Sequence, residues 1–345
     1  MEYPVFIAAV HQYQPPEKIS GFTVGNNKIL TIAKDKPEII ALNNDLTFLW
    51  KRNFLLHWGK YVPPRITISE DGLLIGIAEI NAIRLATIDG TILFRQKHEA
   101  WDAFLGGDLF FTENHVLFIT PGPENDRLTM MDISSFKIIS TLDLPGKQEN
   151  NYTFHRTPDP GMILLEAAAG QDDCTLFLIK QSPGNITIEE LKVCNDRIMG
   201  GFSPDGSLFV TAPHYDEGIE WYSFPLVNRA GEISQSDIFK NVNPLPAEEP
   251  DSLNYQTFFI ADKIIAALTR FGRILLINID TGKIVTELTL QELEPKGYDE
   301  GGQETRDPEK IFDYASDLTE LKFVAPNRLL ARHSSGKLLS YPLLL

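Results

Sequence analysis

Two short stretches of this 345-residue chain pair a histidine with a tryptophan at nearly the same spacing. "LLHWGKYVPP" (55–64) holds His57, Trp58 and Tyr61, and "QKHEAWDAF" (96–104) holds His98 and Trp101. The histidines are 41 residues apart and the tryptophans 43. Further along stand Tyr152 and His155, the run "PHYDEG" (213–218) with His214 and Tyr215, then Arg270 and His333. Such residues support two kinds of chemistry. Imidazoles of His57, His98 and His214, with Glu79, Asp102 or Glu217 as carboxylates, would make a metal or His–carboxylate site. Aromatic rings beside histidine and arginine also match the make-up of protein-binding hot spots. No His-x-x-x-His or similar local motif supports the metal, so no catalytic residue, metal ligand or cofactor is assigned. A third reading makes Trp58 and Trp101 wedges between structural units, with the histidines ordinary loop residues.

The elements that must position these residues repeat. "ITISEDGLLIGIA" (66–78) and "GFSPDGSLFVTA" (201–212) share a strand, Ser-x-Asp-Gly, and a second strand ending in Ala. Related units occur at 22–33, 109–120, 154–167, 258–268 and 323–333. With Val24, Ser69, Thr112, Thr157, Ser203, Ile260 and Ala325 as equivalents, the spacings are 45, 43, 45, 46, 57 and 65. The turns carry Asn26-Asn27, Asp71-Gly72, Asn114, Asp205-Gly206 and Asn327, residues that accept positive φ or bond their own backbone. A second hairpin follows in several units, at 39–50, 84–94, 130–140 and 275–288. Four short antiparallel strands per 40–50 residues make the blade of a β-propeller. The expected fold is therefore all-β, a single seven-bladed propeller domain over 1–345. Its seventh unit is one strand short, and residues 4–10 are expected to complete it by pairing with 336–344. In that arrangement the loops leading into each first strand share a face with the loops joining second and third strands. His57, Trp58, Tyr61, His98, Trp101, His155, His214, Tyr215, Arg270 and His333 are assigned to this face as a partner-binding surface.

The "FSPDGSLFVTA" segment resembles the inner strand pair of WD-repeat and YVTN-type propellers. "INIDTGKIVTEL", with "ALNNDLTFLWKR", is similar to the outer hairpin of quinoprotein-like propellers. The resemblance spans nearly the whole chain and implies the fold. The functions found among such proteins run from scaffolding to lactone hydrolysis and redox catalysis. Asp71 and Asp205 are read as turn residues, not catalytic ones.

Two insertions interrupt the later repeats. Residues 291–317 hold nine acidic and three basic residues and are expected to form a solvated, mobile loop; the alternative is a docking loop anchored by Ile311, Phe312 and Tyr314. The other, 224–254, has Pro244, Pro246 and Pro250 and is expected to follow an extended surface path.

Composition narrows the partners. A formal net charge of −16 disfavours nucleic acid and anionic membranes and favours a protein partner with a neutral or basic surface. The N-terminus shows no signal-peptide pattern, no apolar run is long enough to span a membrane, and Cys174 and Cys194 match no disulfide framework. The cysteines are expected to be reduced thiols in strands. The resulting expectation is a cytoplasmic, non-enzymatic scaffold, monomeric on its own; the alternative is a metal-dependent hydrolase or lactonase, or a small-ligand sensor, with its site at the channel mouth.

Overall fold

The computed structural model describes residues 4–102, 104–169, 173–182, 184–213, 217–324 and 327–343. These divide into two compact units, one formed by Pro15–Asn195 and the other by Met1–Gln14 with Asp196–Leu345.

The first unit holds four antiparallel sheets, each a meander of four consecutive strands. Sheet I comprises Ile19–Gly25, Lys28–Ala33, Glu38–Asn43 and Phe48–Asn53. Sheet II comprises Arg65–Ile68, Leu74–Ala78, Ala82–Thr87 and Ile92–Lys97. Sheet III runs through Leu109–Phe111, His115–Thr120, Arg127–Asp132 and Ile138–Asp143. Sheet IV runs through Asn151–Arg156, Met162–Ala168, Cys174–Ser182 and Asn185–Glu190. Second and third strands are buried almost throughout, whereas fourth strands alternate or expose their residues. That contrast explains the sequence pattern: strands covered on both faces read as continuous apolar runs, and an outer strand keeps period two.

The Ser-x-Asp-Gly turns are bound by their own side chains. Ser69 Oγ donates to Asp71 Oδ1 at 2.5 Å, while Leu73 N–H donates to Asp71 Oδ1 and Leu74 N–H to Ser69 Oγ, both at 2.9 Å. Ser203, Asp205, Ser207 and Leu208 repeat the arrangement. Gly72 and Gly206 follow at φ +71° and +73°, where a Cβ would be strained. These bonds favour the ionised carboxylates and hold Asp71 and Asp205 below the usual range, Ser69 and Ser203 contributing most. Both aspartates are consumed by turn formation.

The second unit holds sheet V (Arg197–Phe202, Leu208–Pro213, Ile219–Ser223, Arg229–Ile233), sheet VI (Leu253–Ala261, Ile264–Thr269, Ile274–Asn278, Lys283–Leu290) and sheet VII (Leu318–Val324, Arg328–His333, Leu338–Pro342). The N-terminal segment does complete sheet VII, but not as one strand over 4–10. His11–Tyr13 pairs antiparallel with Leu338–Ser340, while Val5–Ile7 adds in parallel to the outer strand of sheet VI. Two sheet edges lie along its path, and each unpaired backbone row takes up the part of the segment passing it.

Both insertions are more regular than their composition suggests. Within 291–317, Lys296–Tyr298, Glu304–Thr305 and Asp313–Ala315 form a small three-stranded sheet, fastened by Lys296 Nζ on Asp317 at 2.8 Å. Ile311 packs against Gly297, where any side chain would collide with it. In 224–254, Arg229–Ile233 is the fourth strand of sheet V, and Gln235–Phe239 is a short helix capped by Ser234. The proline-rich stretch 243–252 forms no helix or strand. Cys174 and Cys194 are buried and form no disulfide; Cys194 sits in a single 3-10 turn (Lys192–Cys194) instead of a strand. Six of the seven repeat-register residues fall in or immediately after a first strand, and Ala325 lies outside the described residues.

Candidate functional site

In the first unit, the turn Glu79–Ile80–Asn81 joins the second and third strands of sheet II, and two loops attach to it. Glu79 is 3% exposed. Its Oε1 accepts the backbone N–H of His57 at 2.7 Å and Arg84 Nη2 at 2.6 Å. Arg84 is buried too and donates through Nη1 to the Phe54 carbonyl at 2.6 Å. From the other side, His98 N–H donates to Asn81 O at 3.1 Å and Trp101 N–H to Ile80 O at 2.9 Å. An ion pair withdrawn from water persists only with such added hydrogen bonds. One turn thus fixes the loop 54–64 and the loop 98–108.

The aromatic residues on these loops have different fates. Trp58 is half-buried, packs on the apolar cluster of sheets I and II, and donates its indole N–H to Lys36 O at 2.9 Å. Trp101 is 4% exposed, among Leu117, Ile119, Tyr152 and Ile163. Its seat depends on Gly107, whose position a Cβ could occupy only 2.2 Å from Ile119 O and 3.1 Å from the indole ring. Trp101 is therefore a packing residue, not part of an exposed binding face. Tyr61 is exposed, 49%, and stacks on Phe104, 64% exposed, with centroids 4.2 Å apart and planes at 17°. Lys60 Nζ lies 4.7 Å from the Tyr61 ring centre.

Each described histidine has its own surroundings. His57 is exposed and held by its backbone, while the half-buried His98 ring meets Trp101 edge-on. Burial pushes the His98 imidazole below its ordinary range, partly opposed by the bond to Glu99 O. His155 belongs to the first strand of sheet IV instead of a loop, with Nε2 3.4 Å from Glu166 Oε2. In the second unit, Arg270 bridges Glu249 at 2.6 Å and Asp313 at 2.8 Å, pinning the two insertions together. His333 Nε2 stands 3.5 Å from Asp317, and its Nδ1 accepts Ser335 N–H at 3.0 Å. His214 and Tyr215 lie outside the described residues. Among the described residues no three His, Cys, Asp or Glu side chains are grouped so as to hold a metal ion. Of the carboxylates considered for that role, Glu79 is committed to Arg84 and His57, Asp102 is exposed, and Glu217 reaches Arg197 at 3.2 Å.

Sequence reasoning missed Phe104 as an exposed, stacked ring and Glu79 as the organising residue. Phe104 does carry a signal, being a large aromatic in a loop that belongs to neither alternating strand. Glu79 carries none, because its importance lies in the backbone donor brought from 22 residues away.

No protein-family model matches the chain, and no curated protein matches it in sequence. Solved structures do resemble it. BamB from Moraxella catarrhalis is 12% identical with a TM-score of 0.58, covering 97% of each chain. A chain of a mitotic checkpoint complex is 10% identical with a TM-score of 0.60, covering 98% of this chain and 92% of the other. At such identity the likeness concerns the fold alone, and together with the repeated four-stranded sheets it makes this an all-β propeller.

Proposed function

We propose that this chain is a non-enzymatic scaffold that docks a protein partner on the loops leading into sheets II and III, with Tyr61 and Phe104 as anchors. The observation that carries this reading is the stacked, exposed aromatic pair held on loops whose bases are fastened to Glu79, Ile80 and Asn81. Two large rings kept in water and pre-ordered by stacking offer apolar area at low entropic cost, the property of hot-spot residues. The similar structures support a scaffold to the extent that one of them is a chain of a checkpoint complex. The net charge of −16 favours a partner whose contact surface is neutral or basic.

A photo-crosslinking amino acid in place of Tyr61, in native cells, tests the reading. A discrete adduct that disappears when Phe104 is also changed to Ser is expected. Adducts identical to those from a crosslinker at Glu189, on an exposed strand of sheet IV, would reject this surface. The hydrolase alternative is tested separately by elemental analysis of the purified native protein: about one divalent ion per chain, lost on His98→Ala, would displace the scaffold reading.

A further inference from the structure

The two loops that carry the aromatic pair also line a small cavity, whose walls include Val62, Pro63, Glu79, Trp101, Leu105 and Gly107. Val62 and Leu105 each follow a member of the pair in sequence, so the cavity floor and the platform share the same two loops. Two buried polar atoms of the lining have no partner, the carboxylate oxygen Glu79 Oε2 and the indole nitrogen Trp101 Nε1. They are of opposite character: the indole nitrogen only donates and the carboxylate oxygen only accepts.

We infer that this cavity is a binding site for one water molecule, which accepts from Trp101 Nε1–H and donates to Glu79 Oε2. Size and polarity converge on that ligand. The cavity volume is about 10 Å³, at the lower bound of the ~10–15 Å³ that one buried water requires. An apolar occupant would leave both atoms unsatisfied. An ammonium or metal cation satisfies the carboxylate but repels the indole N–H, and an acceptor-only anion does the reverse. A single oxygen bearing two hydrogens serves both. The water would link the Glu79 turn to the Trp101 loop, adding a polar contact between the turn and a loop that carries Phe104. The site does not depend on any partner docking there.

The test uses the full-length protein with its four tryptophans selectively ¹⁵N-labelled. The Trp101 indole resonance is identified by its loss in Trp101→Phe or, should that variant not fold, by eliminating Trp50, Trp58 and Trp221 with the same substitution. Cross-relaxation of that indole proton with water, of the sign given by a water bound for longer than nanoseconds, is expected. A crystal structure should show an ordered oxygen within ~3.2 Å of both Trp101 Nε1 and Glu79 Oε2. Absence of both signals overturns the site. So does a structure in which Glu79 Oε2 instead takes the Nε–H of Arg84, the other unpartnered atom of this cluster, and the cavity closes.

Discussion

The two histidine–tryptophan stretches began as equivalents and end as opposites. In the loop 54–64, Trp58 follows His57 directly, stays half-buried and spends its N–H on Lys36 O. In the loop 98–108, Trp101 comes three residues after His98, passes over Gly107 and disappears into the apolar cluster of sheets III and IV. Each loop then exposes a different ring, Tyr61 or Phe104, and these two stack. Equal spacing of residue types therefore does not mean equal environments. Two added residues and one glycine accompany the difference between a half-buried indole and a fully buried one.

The contrast can be broken from the core side with the largest effects. Glu79→Ala should cost about 3–5 kcal/mol in denaturant unfolding, because it leaves the Arg84 guanidinium buried without its counter-charge. Trp101→Ala should cost a similar ~3–5 kcal/mol as a large-to-small core change, while Trp58→Ala should cost only about 1–2 kcal/mol, for partial burial and one hydrogen bond. Equal losses at the two tryptophans would erase the distinction. Gly107→Ala should lower stability by roughly 1–3 kcal/mol through overpacking against Ile119 and the indole, with Trp101 fluorescence shifting as the ring is displaced.

The acid response sharpens the comparison further. Burial depresses the folded-state pKa of His98, so as pH falls through about 6.5 the unfolded chain takes up its proton first. Stability contributed by neutral His98 is present above that value and declines below it. The melting temperature of the native protein should therefore drop more between pH 7.5 and 5.5 than that of His98→Gln; parallel curves would show that the ring is not desolvated. The smallest effect belongs to the surface: the Tyr61→Ala, Phe104→Ala double variant should change stability by no more than about 0.5 kcal/mol per site, yet abolish capture of the crosslinked partner in a pull-down.

Much of the fold was legible because the strands and turns are local. Ser69, Asp71 and Gly72 form their turn with bonds spanning no more than five residues, and a second copy at Ser203–Gly206 does the same. The N-terminal closure was legible in kind but not in register: nothing in "PVFIAAVHQY" says which residues will meet the sheet VI edge and which the sheet VII edge. The acidic insertion was misread because composition averages over Lys296, Gly297 and Ile311, whose pairing and packing outweigh the surrounding charge.

The candidate site was legible only as an inventory. Tyr61 was picked out and is exposed, but Phe104 was passed over for Trp101, since a sequence ranks tryptophan above phenylalanine without knowing which ring faces water. By itself the sequence determined the repeat, the turn chemistry, the buried second and third strands and the acidic surface, all properties of residues within a few positions of one another. Tertiary structure alone decided that Glu79 gathers two loops, that Trp101 is core and that Tyr61 meets Phe104. Those outcomes depend on donors and volumes brought together from tens of residues apart, and close packing makes them turn on single atoms such as the missing Cβ of Gly107.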